Sequence, residues 1–410
     1  MNKKISLGIA LSLVAIGCAI TFVLTWTVSR ELFNSKIASS EKYEGIYEKL
    51  RQIDAIVRSN YIGQSQIDDD ALGLAMVNGY ISGIGDKYAG YMPATSYYEF
   101  QQTLNGIVNG AGFQAEDNGS GYLIITEIYK NSSADLNGLM IGDVITAIDG
   151  RSLLNMGTDA AIERISGEIG TTLSLNLVRG GEELAVTLIR QQIEIESVTD
   201  ELLENNIGYI KVTTFNEKTS DQFSTSLNSL IGRNINGLII DLRQNGGGVV
   251  NALKPMLNRI ITAAVVATAE YADGARETLV ETDSGESLNI PIAILVDGGT
   301  ASAAEIFAVA LRDEHGAVLV GTQTYGKAVM QHYYSFPDGS GLTITTARVL
   351  PSKSASYDGV GLRPDYIVEL PSGTTPDYMT RESDTQLKKA IEVLSPEIAG
   401  QENQTEQGNN

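Results

Sequence analysis

Two short runs constrain this chain more than any other feature: "GLIIDLRQNGGG" and "PIAILVDGGTASAAEIF". Each opens on a few successive apolar residues, passes through a glycine cluster and enters a segment with helical character. A run that is apolar at consecutive positions needs burial on both faces, which is the setting of a strand inside a parallel sheet. "IGYIKVTTF" and "AVLVGTQ" read as further strands, and "SDQFSTSLNSLIG" and "VVNALKPMLNRI" as helices between them. Strand, turn and helix thus alternate from residue 207 onward, which predicts an α/β core.

The preceding residues differ in pattern. In residues 35–95, Ile46, Leu50, Ile53, Ile56 and Val57 recur at helical spacing, and "DDDALGLAMVNGYISGIGDKY" begins with acidic residues suited to a helix start. These helices are expected to form a neck and could also pair two copies of the chain. Residues 96–192 alternate with period two. "GFQAED", "YLIITEIY" and "GDVITAIDG" read as strands, "SADLNG" and "TDAAIERISG" as helices. "TLSLNLVRGGEELAVTLIR" reads as a hairpin about Gly180-Gly181. A compact strand–helix domain is expected there.

At the amino end, Ile5 to Val28 is 24 residues without a charge. At about 1.5 Å per residue it spans a hydrocarbon core of roughly 30 Å. Lys3 and Lys4 favour a cytoplasmic amino end. The run is longer than the apolar part of a cleaved signal. The expectation is a single-pass plasma-membrane protein whose larger part is extracytoplasmic. The layout is then a cytoplasmic end and anchor over 1–34, a helical region over 35–95, the strand–helix domain over 96–192, the α/β core with a last helix over 193–394, and a polar tail over 395–410.

Charge and cysteine use exclude several functions. With 29 basic and 50 acidic residues, net charge −21, the chain lacks the basic balance that nucleic-acid binding needs. Cys18 is the single cysteine and lies in the apolar run, so disulfides and a thiol nucleophile are not expected beyond it. No Cys/His spacing suggests a metal site, and no cofactor is expected.

The second glycine turn carries a candidate site. Ser302 and Glu305 form the Ser-x-x-Glu pattern of a capping box. A serine at a helix start can also act as a nucleophile, because free first-turn N–H groups and the helix dipole stabilise an oxyanion. Both readings stay open on Ser302 alone. A serine nucleophile needs a base. Of the two histidines, His315 and His332, His315 sits in the charged "RDEHG" helix end. Lys327 is the other option. "TYGKAVMQ" holds no other charge, and burial would lower a lysine enough for base catalysis. If this segment is a strand, Gln331 shares a face with Lys327 and could orient its amine.

The spacing of Ser302, Lys327 and Gln331 resembles that of the carboxyl-terminal processing (tail-specific) proteases. Further segments resemble the same family in order: "LGLAMVNGYISGIGDKYAGYM", with Lys87 where proline is usual, "GLIIDLRQNGGGVV", "DGVGLRPDYIVEL" and "DTQLKKAIEVL". The resemblance covers roughly residues 40–395. It implies an α/β core of crotonase or Clp-protease type and a serine endopeptidase with Ser302 as nucleophile, Lys327 as general base and Gln331 as its support. The oxyanion would be held by the N–H groups of Ala303 and Gly247.

Residues 96–192 then resemble a PDZ domain. Its carboxylate-binding loop would be Gly110-Ala111-Gly112-Phe113, and its partners would be proteins or peptides with a free carboxyl end. The sequence departs from the family at Ser133, Asn137 and Ser166, where proline, alanine and arginine are common. Ser166 puts in doubt any coupling that relies on that arginine. The rival readings are a non-catalytic PDZ peptide-binding scaffold with a protease-like core, and a hydratase-like α/β protein whose glycine turns hold another oxyanion.

Overall fold

The structure, a computed structural model, describes residues 40–395 apart from Ser284, Glu286, Asp377 and Tyr378. The expected anchor at Ile5–Val28 and the tail beyond residue 395 lie outside the described residues. Among those described, no helix is long and apolar enough to cross a membrane.

The chain forms two compact units, residues 1–79 and 80–410. In the first, the helix Ser40–Asn60 is followed by the start of the helix Asp69–Ile84. Asp68 caps the second helix by accepting the Asp70 and Ala71 N–H groups, each at 3.0 Å. Arg58 ties the two helices together through Asp54 and Asp69. The helical spacing is as expected, but Ile46, Leu50, Ile53 and Ile56 remain exposed.

The second unit holds the α/β core and the strand–helix domain. The core sheet runs in the order Val198–Leu202, Ile207–Val212, Gly237–Asp241, Ile292–Val296, Val318–Gly321 and Tyr366–Ile367. Only the first pair is antiparallel. Alternate residues of the apolar runs serve opposite faces. Leu238, Ile240, Ile292, Ile294 and Val296 pack against the helices Thr219–Ile231 and Ala303–His315. Ile239, Ala293 and Leu295 pack against Leu387, Ala390 and Leu394 of the last helix, residues 385–395. Both faces are therefore covered, as continuous apolarity demands.

A buried ionic lattice fixes that last helix to the sheet. Arg243, 3 % exposed, pairs with Asp241 at 2.6 Å and Asp384 at 2.9 Å, and donates to Gln386 at 3.0 Å. A buried guanidinium is tolerated because carboxylates and an amide oxygen surround its N–H groups.

A second, antiparallel sheet brings distant segments together. Gly341–Pro351 lies between Gly90–Met92 and Ala264–Tyr271, and also pairs with Val329–Ser335. Two expectations are corrected here. The helical region does not extend to residue 95: Gly90–Met92 is a strand and Ala94–Leu104 a further helix. Three residues are too few for a periodic signal, so only the partner strand defines them. The expected helix in "VVNALKPMLNRI" is reduced to a 3-10 turn, Val250–Ala252, and the short helix Leu253–Leu257. Pro255 fits the first turn of a helix but not its interior.

The strand–helix domain matches its pattern. Its sheet runs Phe113–Asp117, Leu123–Ile128, Val144–Ile148, Thr172–Arg179, Glu182–Ile189 around a core that includes Leu123, Ile145, Leu173 and Leu188. Gly180 and Gly181, both at positive φ, close the two-residue hairpin. Ile107–Gly110 and Gln191–Glu194 pair as a two-stranded ribbon at its entry and exit.

Candidate active site

Ser302 follows the strand Ile292–Val296 and immediately precedes the helix Ala303–His315. All residues from Ala303 to Leu311 are buried, so the helix start is fixed in the core rather than at a free surface. Ser302 has φ 57 and ψ −119, a backbone region that a side-chain-bearing residue adopts at a cost of about 1–3 kcal/mol. Its N–H donates to Glu305 Oε2 at 2.9 Å, the glutamate half of the expected box.

Glu305 does more than cap. It is fully buried and accepts four hydrogen bonds: from Ser302 N–H, from Lys327 N–H at 2.8 Å, from Gly326 N–H at 2.8 Å and from the Thr324 hydroxyl at 2.5 Å. One carboxylate therefore anchors both the serine turn and the lysine loop. Burial of a carboxylate without a cation is offset here by charge-assisted hydrogen bonds and the helix amino end.

Lys327 is not on a strand, which corrects the expectation. The strand begins at Val329, and a bulge at Met330–Gln331 breaks its alternation. The Glu305 bonds take the backbone N–H groups at 326 and 327, which a ladder would otherwise use. Even so, Ser302, Lys327 and Gln331 open onto one cavity of about 740 Å³, together with Gly246, Gly248 and Ile306. The Lys327 ammonium lies 4.6 Å from the centre of the Tyr88 ring. Its amine is held below the ordinary lysine value, by burial first and then by the charge of Lys87, with Asp86 opposing.

Gln331 is fixed through its other amide atom. Its amide nitrogen donates to Thr345 Oγ1 at 3.2 Å, and Thr345 is held in turn by both oxygens of Asp86. Asp86 is desolvated, yet the N–H groups of Thr345 and Tyr88 keep its carboxyl below the usual range. Sequence reading passed over Asp86, Tyr88 and Glu305 as site residues. Only the capping-box spacing of Glu305 offered a signal.

The glycine turn lies directly against the serine. A Cβ added to Gly247 would stand 2.7 Å from Ala301 O, 2.8 Å from Ser302 Cβ and 2.9 Å from Ala303 N. Asn245 fastens the turn, accepting Gly247 N–H at 2.9 Å through Oδ1 and Ala301 N–H at 2.9 Å through its carbonyl. The expected oxyanion donor at Gly247 is thus engaged in this conformation. Among the described residues, the N–H groups of Gly248 and Ala303 have no partner. His315 is elsewhere, its Nε2 2.7 Å from Leu288 O, and His332 meets the Tyr334 ring edge-on. Among the described residues, no group of His, Cys, Asp and Glu side chains could hold a metal.

In the second candidate site, Gly112 has φ 101, and a Cβ there would stand 2.1 Å from the Ser132 side chain. Gly112 O accepts from Tyr129 N–H and Ser132 Oγ, and Ala111 O accepts from Ala134 N–H. With the carbonyls turned inward, the Ala111 and Gly112 N–H groups have no partner among the described residues. Phe113–Asp117 is an edge strand of its sheet, with one long side unpaired.

Comparison with known proteins agrees with these features. The sequence profile of peptidase family S41 matches residues 206–368, and that of the PDZ domain residues 101–178. The carboxy-terminal processing protease CtpA of Bacillus subtilis is 30 % identical over 382 residues, covering 92 % of this chain and 80 % of that protein. A Staphylococcus saprophyticus protein described as a CtpA-like serine protease is 26 % identical, covering 91 % and 75 %. A solved Bacteroides fragilis S41 protein has a similar fold, with a TM-score of 0.51 at 18 % identity over 84 % of this chain and 97 % of that one. The glycine turn against a strained serine, the PDZ domain and these relationships lead to one assignment: the chain is a serine peptidase and belongs to the carboxy-terminal processing proteases of family S41.

Proposed function

We propose that the chain is a serine endopeptidase with a Ser302–Lys327 dyad that takes proteins by their exposed carboxyl ends. The observation that carries this reading is the shared cavity: Ser302 and Lys327 both open onto it, and their backbones are fastened to the same carboxylate. In this reading neutral Lys327 accepts the proton of Ser302 Oγ as that oxygen attacks a peptide carbonyl carbon. The tetrahedral oxyanion is met by Ala303 N–H and by the glycine turn. Gly247 serves there once its N–H exchanges Asn245 for substrate, and Gly248 N–H is the partner already free. Collapse breaks the C–N bond, and Lys327 returns the proton to the leaving amine. Water, deprotonated by Lys327, then attacks the ester carbon, and Lys327 returns the proton to Ser302 Oγ as the C–O bond breaks. Gln331 accepts from Lys327 through Oε1, which has no partner among the described residues, while Thr345 fixes its nitrogen.

The PDZ loop Gly110–Phe113 would take the carboxylate on the open N–H groups of Ala111 and Gly112, and the peptide would extend the sheet along Phe113–Asp117. The apolar run Ile5–Val28 would hold the enzyme in the plasma membrane with its catalytic part outside the cytoplasm. The exposed residues Ile46, Leu50, Ile53 and Ile56 support pairing of two copies.

The test is cleavage of a loosely folded protein with an apolar carboxyl end by the wild type, Ser302→Ala and Lys327→Ala. Both variants are expected to be inactive. Undiminished cleavage by either one overturns the dyad, and a wild type that does not cleave leaves the scaffold reading in its place.

A further inference from the structure

Two lysines flank the Tyr88 ring. The Lys327 and Lys87 ammoniums each lie 4.6 Å from its centre, and Lys87 also lies 5.4 Å from the centre of the Tyr325 ring. The two charges are therefore no more than about 9 Å apart, close to one Debye length at physiological salt. Among the described residues, neither ammonium has a carboxylate at ion-pair distance. The ring faces supply part of the missing counter-charge.

We propose that Lys87, whose ammonium shares the Tyr88 ring with that of Lys327, is a positioning residue for the peptidase reaction that acts on the general base through its positive charge. The inference rests on the Ser302–Lys327 reading. A second cation next to a catalytic amine is a recognised way to free its lone pair.

The other charged and titratable groups around Lys327 do not cancel this effect. Asp86 opposes it as an ionised carboxylate, and its effect on Lys327 is the smaller of the two. Glu305 receives four donors and binds the Lys327 backbone, not its amine. Asp358 accepts from Ala328 N–H at 3.3 Å and raises Lys87 rather than Lys327. Further titratable or charged groups on the cavity wall and the neighbouring elements include the phenols of Tyr88, Tyr98, Tyr325, Tyr333 and Tyr357, His332 on the following strand, Arg348 opposite Val329, and Glu217. The phenols of Tyr333 and Tyr357 are pushed up by burial and so stay neutral where the base titrates. Lys87 itself is raised by its interaction with the Tyr88 side chain, so it stays charged across that range.

The experiment is the pH dependence of kcat for the purified full chain on an unfolded protein substrate, at low salt. The parallel readout is the rate at which a fluorophosphonate acylates Ser302. Lys87→Gln is expected to move the acid limb upward by about half a pH unit, as an exposed unit charge at this distance should. That corresponds to roughly threefold slower turnover below the limb, merging with the wild type above it. Lys87→Glu should move the limb further, and Lys87→Arg should restore it. A superimposable limb in Lys87→Gln, a loss equal at every pH, or failure of Lys87→Arg to restore the limb overturns the inference. Lys327→Ala separates the two levels. If it cleaves like the wild type, the dyad reading fails. If it is inactive while Lys87→Gln leaves the limb unmoved, only the role of Lys87 fails.

Discussion

Ser302 and Lys327 donate their backbone N–H groups to the same oxygen of Glu305, at 2.9 and 2.8 Å. A single buried carboxylate thus sets the separation between a helix start and a loop that follow different strands. Glutamine keeps the size of this side chain but offers one acceptor oxygen and adds an NH₂ group that faces N–H donors. Glu305→Gln is expected to lower kcat by at least about tenfold, because small displacements of reacting groups are costly. It should also lower stability by about 1–3 kcal/mol through unsatisfied N–H groups. KM should change little. Steady-state kinetics with denaturant unfolding checks this, and a wild-type kcat would remove Glu305 from the positioning role.

The backbone of Ser302 predicts an unequal pair of inactive variants. At φ 57, Ser302→Ala retains the strained conformation, whereas Ser302→Gly adopts it without a Cβ penalty. Both should fail to cleave. Ser302→Gly should be the more stable by about 1 kcal/mol, seen as a higher Tm. Equal melting temperatures would mean that the turn carries no strain in solution.

Lys327 gives a pH prediction with a defined sign. Its folded-state value lies below 10.5, mainly through burial. The unfolded chain therefore binds this proton more tightly than the folded one, and between the two values stability rises with pH. At neutral pH the folded protein carries the cost of the half-buried amine. Lys327→Met should consequently raise Tm by on the order of 1–3 °C at pH 7, with a smaller gain near pH 10. Wild-type cleavage should rise with pH as the neutral amine becomes populated. A rate flat from pH 6 to 9 (with chemistry limiting) would count against Lys327 as the titrating base.

The loop at Gly110–Phe113 yields a prediction about substrate tails. Amidating the terminal carboxylate of a labelled apolar peptide should weaken its binding at least about tenfold, since charge-assisted hydrogen bonds to backbone N–H groups are lost. Gly112→Ala should weaken binding of the free acid similarly, because its Cβ would overlap Ser132. Fluorescence anisotropy on the full chain measures both. Equal affinity for acid and amide would exclude carboxylate capture by this loop.

The sheet was readable in advance because its signal is local. The runs around Ile239 and Leu295 are apolar at successive positions, and only a strand covered on both faces accommodates that. The hairpin at Gly180-Gly181 was equally plain, since two positive φ values specify the turn. The strand Gly90–Met92 was not readable, because it exists through pairing with Gly341–Thr343. Lys327 was placed on a strand for want of any local sign that Glu305 captures the backbone at 326 and 327. The bond that fixes the Gln331 nitrogen was not readable either, because it goes to Thr345, whose own partner Asp86 lies far away in sequence.

By itself, then, the sequence determined a candidate chemistry: a serine at a glycine-rich helix start, an isolated lysine and an amide in a fixed order. Local propensity and hydrophobic period also determined the sheet and the strand–helix domain, because each depends on residues close in the chain. The tertiary structure alone decided how that serine and lysine are held. It brought Glu305 beneath both, set Asn245 on the Gly247 amide, and placed Tyr88 and Lys87 beside the Lys327 amine. Those arrangements follow from hydrogen bonds and charges that meet only when distant segments pack. No periodicity along the chain encodes them.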